Sequence, residues 1–292
     1  MANELAALSQ ELAAVVEGAA GRVVAVHARP RFSSSGVFWR PGIIVTAEHA
    51  VKHEDDLRVT LPDGTDSTAT LAGSDGGTDI AVLRVEAQGP AAPLVKGEAA
   101  PGNLALTVGR SEDSGVNATW GIVSAVSGPW RTWRGGRLDK YIRLDLTLYP
   151  GSAGALVVNV AGEALGIATP VLSRIAGLAI PATTIDRVVD EILTRGRVAH
   201  RYLGVGLQPV ELPDRQAGLI VLSLASDGPA EKAGVLIGDV LVKLGATAVG
   251  DTDDVQAALE PYPVGQQVEA TVVRGGAPTK IVITIGERPR RS

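Results

Sequence analysis

Between Arg22 and about Ile180 the chain repeats one pattern: a short, mostly apolar run rich in β-branched residues, closed by Gly, Pro, Asp or Asn. The runs are VVAVHA (Val23–Ala28), GIIVTA (Gly42–Ala47), LRVTLP (Leu57–Pro62), DIAVLRV (Asp79–Val85), LALTVG (Leu104–Gly109), GIVSAV (Gly121–Val126), YIRLDL (Tyr141–Leu146), ALVVNV (Ala155–Val160) and EALGIAT (Glu163–Thr169). Their length and composition predict strands, and so many in one block predict a barrel or sandwich. Two segments carry helical periodicity instead. Leu5, Leu8, Leu12, Val15 and Val16 recur at three and four over residues 3–18, with Gly18 and Gly21 as the expected stop, and the apolar face is read as packing on the body of its own domain. In PATTIDRVVDEILTRGRV, Ile185, Val188, Val189, Ile192 and Leu193 form an apolar face, Thr183 or Thr184 is a candidate N-cap, and Gly196 closes the helix.

A second pattern starts near Arg197–Arg201: YLGVGLQPV, GLIVLSL, a short helix after Gly228-Pro229, IGDVLVKLGATAV, a helix from Asp253, and two final strands. The predicted organisation is an N-terminal amphipathic helix (1–20), a β-rich domain (21–197), a smaller β-rich domain (198–288) and a basic tail (289–292).

Composition narrows the function classes. Of 292 residues, 45% are hydrophobic, 20% charged and 3% aromatic, with 35 glycines and 17 prolines, which fits a globular chain of aliphatic cores and tight turns. A net charge of −5 argues against a general nucleic-acid or anionic-membrane binder. The absence of cysteine removes disulfides, thiolate nucleophiles and Cys-ligated zinc, and no metal or cofactor is expected. Glu4, Gln10, Glu11 and Glu17 interrupt what would be the apolar core of a signal peptide, and no run is long enough for a membrane span. The chain as written therefore reads as cytoplasmic, with the bacterial periplasm or cell envelope as the alternative if a leader or anchor has been removed.

Chemistry concentrates in three places. His49 follows the GIIVTA strand in a turn, where it can reach a cleft; His27, His53 and His200 have no such company. Asp79 stands where a loop enters a strongly apolar strand, and a carboxylate there needs a partner, for which an imidazole N–H is apt. Asp63, Asp66 and Asp75 read as exposed turn caps, and Asp145 as structural. The third place is Tyr149–Val158, YPGSAGALVV, with the glycine spacing of a nucleophile turn. The order His, Asp, turn is that of chymotrypsin-type enzymes. Where the serine belongs, Ala153 stands.

These motifs together resemble the HtrA/Deg family of trypsin-like serine proteases with a C-terminal PDZ domain, from residue 20 to 287. TAEHAV is similar to its histidine motif, TDIAVLRV to its aspartate motif, YPGSAGALV to its nucleophile motif N-x-G-N-S-G-G-P-L, and YLGVGLQ with GPAEKAGVLIGDVLVKLGATAV to its PDZ signature. The resemblance implies a mainly β fold, a chymotrypsin-like double β-barrel followed by a PDZ β-sandwich with two helices. It makes His49 the general base, Asp79 its orienting acid and position 153 the nucleophile, with the amides of Gly151 and Ala153 as oxyanion hole. It places Leu148, Tyr149, Ala168 and Thr169 near the specificity pocket, which lacks an acidic residue and so favours small or medium apolar side chains. Tyr202, Leu203, Gly204 and Val205 would bind a peptide carboxylate. GPWRTWRGGRLDK (Gly128–Lys140), with Trp130 and Trp133, falls at the family's sensor loop, a reading preferred to nucleic-acid binding. The implied function is quality-control proteolysis of unfolded polypeptides by a homotrimer that also binds peptide C-termini. Ala153 then reads as an engineered serine-to-alanine exchange, or as the mark of a natural noncatalytic scaffold or holdase. Ser152 and Ala155 also depart from the usual motif.

Overall fold

The computed structural model describes residues 2–29, 32–53, 56–90, 99–198, 200–213 and 215–288. The chain divides into two compact units, 1–198 and 199–292. The proposed tail 289–292 lies outside the described residues. Arg288, the residue before it, donates its amide to the His200 carbonyl and lies over the Tyr202 ring at 6.0 Å.

The first unit opens with α1 (Ala2–Ala20), which runs through Gly18. Glycine in a helix costs only about 1 kcal/mol relative to alanine, and Leu12, Val15 and Val16 pack on the core at this end of α1. Then come β1 (Val23–His27), β2 (Ser34–Arg40), β3 (Ile43–Ala47), β4 (Arg58–Thr60), β5 (Asp66–Asp75) and β6 (Ile80–Val85), which close into a barrel in the order β1-β2-β3-β6-β5-β4. A second barrel follows from β7 (Leu104–Ser111), β8 (Gly115–Ser127), a small hairpin β9 (Trp130–Arg131) and β10 (Arg137–Leu138) standing outside it, β11 (Tyr141–Asp145), β12 (Leu156–Val158), β13 (Ala164–Thr169) and β14 (Gly177–Pro181); its order is β11-β14-β13-β12-β7-β8. The fold is mainly β and of the chymotrypsin-like double-barrel kind.

Each barrel has its own apolar interior, Val24, Phe38, Ile44 and Leu83 in the first and Val123, Leu144, Val157 and Ala179 in the second. A third cluster, including Val37, Val45, Leu106, Ile167 and Ile180, joins the barrels beneath α2 (Ala182–Arg195). Ile185, Val188, Val189 and Ile192 are buried there, and an aliphatic side chain so buried contributes about 1.5–3 kcal/mol. α2 ends at Gly196, whose amide reaches the Ile192 carbonyl at 2.7 Å. Its start differs from expectation: Pro181 is the N-cap, no side chain caps it, and the Thr184 hydroxyl accepts the Asp139 amide at 2.8 Å.

The second unit contains β15 (Arg201–Tyr202), β16 (Val205–Glu211), β17 (Ala217–Leu224), α3 (Pro229–Lys232), β18 (Val240–Leu244), β19 (Thr247–Ala248), α4 (Thr252–Leu259), β20 (Gln267–Arg274), β21 (Ala277–Thr284) and β22 (Gly286–Glu287). Its sheet runs β16-β17-β18-β20-β21, which leaves β16 at an edge. α4 starts in a capping box between Asp251 and Asp254. Asp239, with a side chain 1% exposed, receives two bonds of 2.8 Å from the Arg274 guanidinium and the Leu236 amide at 2.8 Å.

Candidate active site

β3 is buried along its whole length and delivers His49 in a single 3₁₀ turn, Glu48–Ala50. Arg29 fixes this turn by donating to the carbonyls of His49 and Ala50. Asp79 enters β6 from the turn after β5, with φ 60° and no exposure. Asp75 shapes that turn by accepting the Gly77 amide at 2.9 Å and the Thr78 hydroxyl at 2.6 Å. Asp75 is therefore a turn former as expected but buried, at 2% exposure, because β5 carries it inside.

The structure brings His49 and Asp79 together. Nδ1 of His49 lies 2.9 Å from both carboxylate oxygens, and the His49 amide donates to Oδ1 at 2.9 Å. A carboxylate accepting from Nδ1 fixes the tautomer that leaves Nε2 free to take a proton. Among the described residues Nε2 has no protein partner. Thr169 supplies the remaining contact, its hydroxyl donating to Oδ2 at 2.5 Å. Thr169, expected near the specificity pocket, is fully buried with its hydroxyl on Asp79.

The turn from Tyr149 to Ala155 is held by its carbonyls. Ser152 N donates to Tyr149 O at 2.9 Å, Ala155 N to Ser152 O at 3.0 Å, and Ser35 N to Ala153 O at 3.0 Å. Gly154 N reaches Ala168 O at 2.9 Å, so the end of β13 touches the turn through Ala168 and Asp79 through Thr169. Gly154 has φ +78°, and a Cβ there would meet Ser35 O at 2.3 Å, Thr46 Oγ1 at 2.8 Å and Ala47 N at 2.9 Å. No other residue fits, and the turn thereby lies against the end of β3 that leads into His49. Among the described residues the amides of Gly151 and Ala153 have no protein acceptor, as a pair serving an incoming oxygen requires. Ser152, beside the nucleophile position, is 3% exposed and makes no hydrogen bond to His49. Leu148 packs with the second barrel's interior, Ala168 is buried in it, and Tyr149 is 62% exposed.

The β9–β10 hairpin borders the site. Its Thr132 hydroxyl donates to Gly77 O at 2.7 Å, Arg134 lies 3.4 Å from Glu48 and stacks on Trp133, and Trp133 Nε1 reaches Val171 O at 3.2 Å. Each contact falls within two residues of His49, Asp79 or Thr169. Trp130 instead packs edge-on against Tyr141, with ring centres 5.1 Å apart. Only Trp133 of the two is an exposed aromatic.

In the second unit, Leu203 is buried and its carbonyl accepts Ala230 N at 2.8 Å, while Gly204, at φ +77°, accepts Ala225 N at 2.8 Å. The amides of Leu203 and Gly204 have no protein acceptor among the described residues. They stand at the head of β16, whose outer edge is unpaired in the sheet and lies beside α4. Tyr202 is tied to β22 through Gly286. Among the described residues no cluster of metal-ligating side chains occurs, and no helix is long and apolar enough to cross a membrane.

Comparison with known proteins gives consistent matches. Residues 34–167 match the trypsin-like peptidase domain family and residues 201–285 the PDZ domain family. A probable periplasmic serine endoprotease, DegP-like, of Brucella suis is 33% identical over 282 residues, covering 90% of this chain and 54% of the relative. Protease Do-like 1, chloroplastic, of Arabidopsis thaliana is 29% identical over 287 residues, covering 90% and 65%. The chain thus spans 54% to 65% of the length of these curated relatives. The crystal structure of the serine endoprotease from Yersinia pestis superposes with a TM-score of 0.79 at 28% identity, covering 94% of this chain and 97% of that one. The HtrA-type protease AlgW with a decapeptide gives a TM-score of 0.79 at 26% identity, covering 95% and 98%. The name of the Brucella relative refers to the periplasm, so the cytoplasmic expectation finds no support there.

Proposed function

We propose that this chain, which belongs to the HtrA family of trypsin-like serine proteases carrying a PDZ domain, is a serine endopeptidase scaffold whose chemistry requires a serine at position 153. The carrying observation is the buried carboxylate of Asp79, which accepts from His49 at both its ring and its amide.

With a hydroxyl at 153, His49 Nε2 removes its proton as Oγ attacks the scissile carbonyl, and Asp79 stabilises the imidazolium. The amides of Gly151 and Ala153 receive the developing oxyanion. His49 returns the proton to the departing amine, and water then hydrolyses the acyl-enzyme by the reverse sequence. Alanine has no oxygen to begin this, so the chain as it stands binds without cleaving.

Leu148, Tyr149 and Ala168 carry no charge, which favours small or medium apolar side chains before the scissile bond. Thr169 adds its bond to Asp79 at the edge of that pocket. Leu203, Gly204 and the edge of β16 suit a peptide C-terminus, whose carboxylate meets backbone amides while its chain adds to the sheet. Unfolded polypeptides are the substrate class that supplies both extended chain and apolar side chains. Assembly as a homotrimer is the reading suggested by the family resemblance, and the exposed apolar side chains Leu5, Leu8 and Trp120 on the first unit offer surface for such a contact. The bacterial envelope is the compartment in keeping with the periplasmic Brucella relative.

Ala153 itself favours a second reading, a noncatalytic peptide-binding scaffold. Ala153→Ser separates the two. Cleavage of an unfolded protein by the serine variant, with apolar residues before the cut sites, is expected. A folded serine variant that cleaves nothing would establish the scaffold reading.

A further inference from the structure

Ser35 belongs to the first barrel, yet it engages the turn of the second. It lies on β2 and is fully buried. Its amide donates to Ala153 O at 3.0 Å and its hydroxyl to Gly151 O at 2.8 Å. The same hydroxyl accepts the Arg110 amide at 3.1 Å and lies 3.3 Å from the Arg110 carbonyl. A hydroxyl has one proton, and the shorter path sends it to Gly151. The Ser35 carbonyl in turn accepts the Thr46 hydroxyl at 2.6 Å. Ser35 is therefore clamped between β3 and β7 before it touches the turn.

A peptide unit carries its C=O and N–H on opposite sides, so fixing a carbonyl fixes the opposite amide direction. Ser35 holds the units that follow Gly151 and Ala153, and the unit between them is held by Ala155 N on Ser152 O. The Ala153 amide belongs to the middle unit and points opposite to Ser152 O, and Ser35 anchors the unit on each side of it. Gly151, at φ +92°, has little conformational preference of its own, so its carbonyl keeps this direction only while something holds it.

We infer that Ser35 is a positioning residue for the oxyanion hole, its hydroxyl and amide anchoring the peptide units on either side of the one that carries the Ala153 amide, so that this amide is held facing the cleft. This rests on the protease reading above, and two independent measurements keep the two apart. The first needs no catalysis: a crystal structure of Ser35→Ala in the Ala153 chain, in which the Gly151–Ser152 peptide is expected to rotate away from β2. An unchanged turn overturns the inference whatever the chain's activity. The second compares Ala153→Ser with Ala153→Ser/Ser35→Ala on one peptide substrate. The expected result is a kcat lower by about 10- to 100-fold with KM changed by no more than about twofold, a smaller loss than the roughly 10²–10³ for deleting a donor. Equal kcat values overturn the inference. Should Ser35→Ala not fold, Ser35→Cys retains the size with a weaker donor and is expected to lose less activity, again in kcat; wild-type kcat in that variant overturns the inference. If Ala153→Ser itself cleaves nothing, the protease reading fails and the crystal structure still decides the role of Ser35.

Discussion

Replacing Asp79 by asparagine in an Ala153→Ser background separates catalysis from stability. Three donors converge on the carboxylate: the His49 amide at 2.9 Å, His49 Nδ1 at 2.9 Å from each oxygen, and the Thr169 hydroxyl at 2.5 Å. The group has no exposure, so water supplies nothing. Asparagine offers one acceptor oxygen and one NH₂ in the same space. With its oxygen at the Oδ1 position, NH₂ faces Nδ1 and Thr169; Nδ1 then accepts a hydrogen bond from NH₂ and the ring hydrogen moves to Nε2. With the amide reversed, NH₂ faces the backbone N–H of His49, which is worse. Either orientation also removes the charge that stabilises the imidazolium. The expected loss is about 10⁴-fold in kcat, or about 5.5 kcal/mol of barrier at 1.36 kcal/mol per decade. The stability cost is smaller, about 1–3 kcal/mol for an imperfectly matched buried hydrogen bond, so the variant stays folded at the assay temperature. Hydrolysis of unfolded casein by the two enzymes, with melting curves, measures both effects. ¹⁵N spectra of His49 in the Ala153 chain provide a check independent of turnover: the ring hydrogen is expected on Nδ1 beside the Asp79 carboxylate and on Nε2 in the Asp79→Asn variant. A folded variant losing less than about tenfold, with the hydrogen still on Nδ1, would refute the role given to Asp79.

Two further outcomes concern the second unit. Hydrogen bonds from Arg274 hold the Asp239 carboxyl below its ordinary value despite the opposing effect of burial, with the Leu236 amide and the charge of Arg274 helping. A depressed folded value stabilises the unit above the carboxylate's unfolded pKa of about 3.9, and this stability is lost as pH falls through the lowered value. Acid titration of the unit's melting temperature should show that loss, and Asp239→Asn should flatten it; an identical acid limb in both chains would exclude Asp239 as the source. For the β16 edge, a peptide with a free C-terminus should bind the full chain at least about tenfold more tightly than its amidated form, since charge-assisted bonds contribute about 1.5–3 kcal/mol each. Equal affinities by fluorescence anisotropy would remove Leu203 and Gly204 from carboxylate recognition.

His49, Asp79 and the glycine-bracketed turn were legible in sequence because each is marked locally: a polar residue at the end of an apolar strand, or glycines at close spacing. The apolar face of α2 was legible for the same reason. The contacts that orient these groups were not. Thr169 reaches Asp79 across 90 residues and Ser35 reaches Gly151 across 116, so both depend on how two barrels meet and not on neighbouring residues. β2 illustrates the difficulty, since Ser33-Ser34-Ser35-Gly36 has the composition of a turn yet Ser34–Arg40 is a buried strand. A run of serines leading into Val37-Phe38-Trp39 was the available signal. β14 and the small β9–β10 hairpin were likewise not separated from their surroundings, because pairing defines such short elements more than composition does. Thr184 had the chemistry of a cap, but a nearer partner at Asp139 takes its hydroxyl.

The hairpin's meeting with the aspartate loop has a consequence for how relatives of this chain can be read. A Cβ on Gly136 would meet Gly77 C at 2.1 Å and Thr78 N at 2.6 Å, backbone atoms with no rotamer to yield. Gly136, unlike Gly135, has no left-handed φ, so the demand is for room alone. Position 136 is therefore a diagnostic letter. A chain that carries glycine there can seat the hairpin against the Asp79 loop, whereas a chain with any side chain there must carry its hairpin elsewhere, however similar the rest of the segment looks.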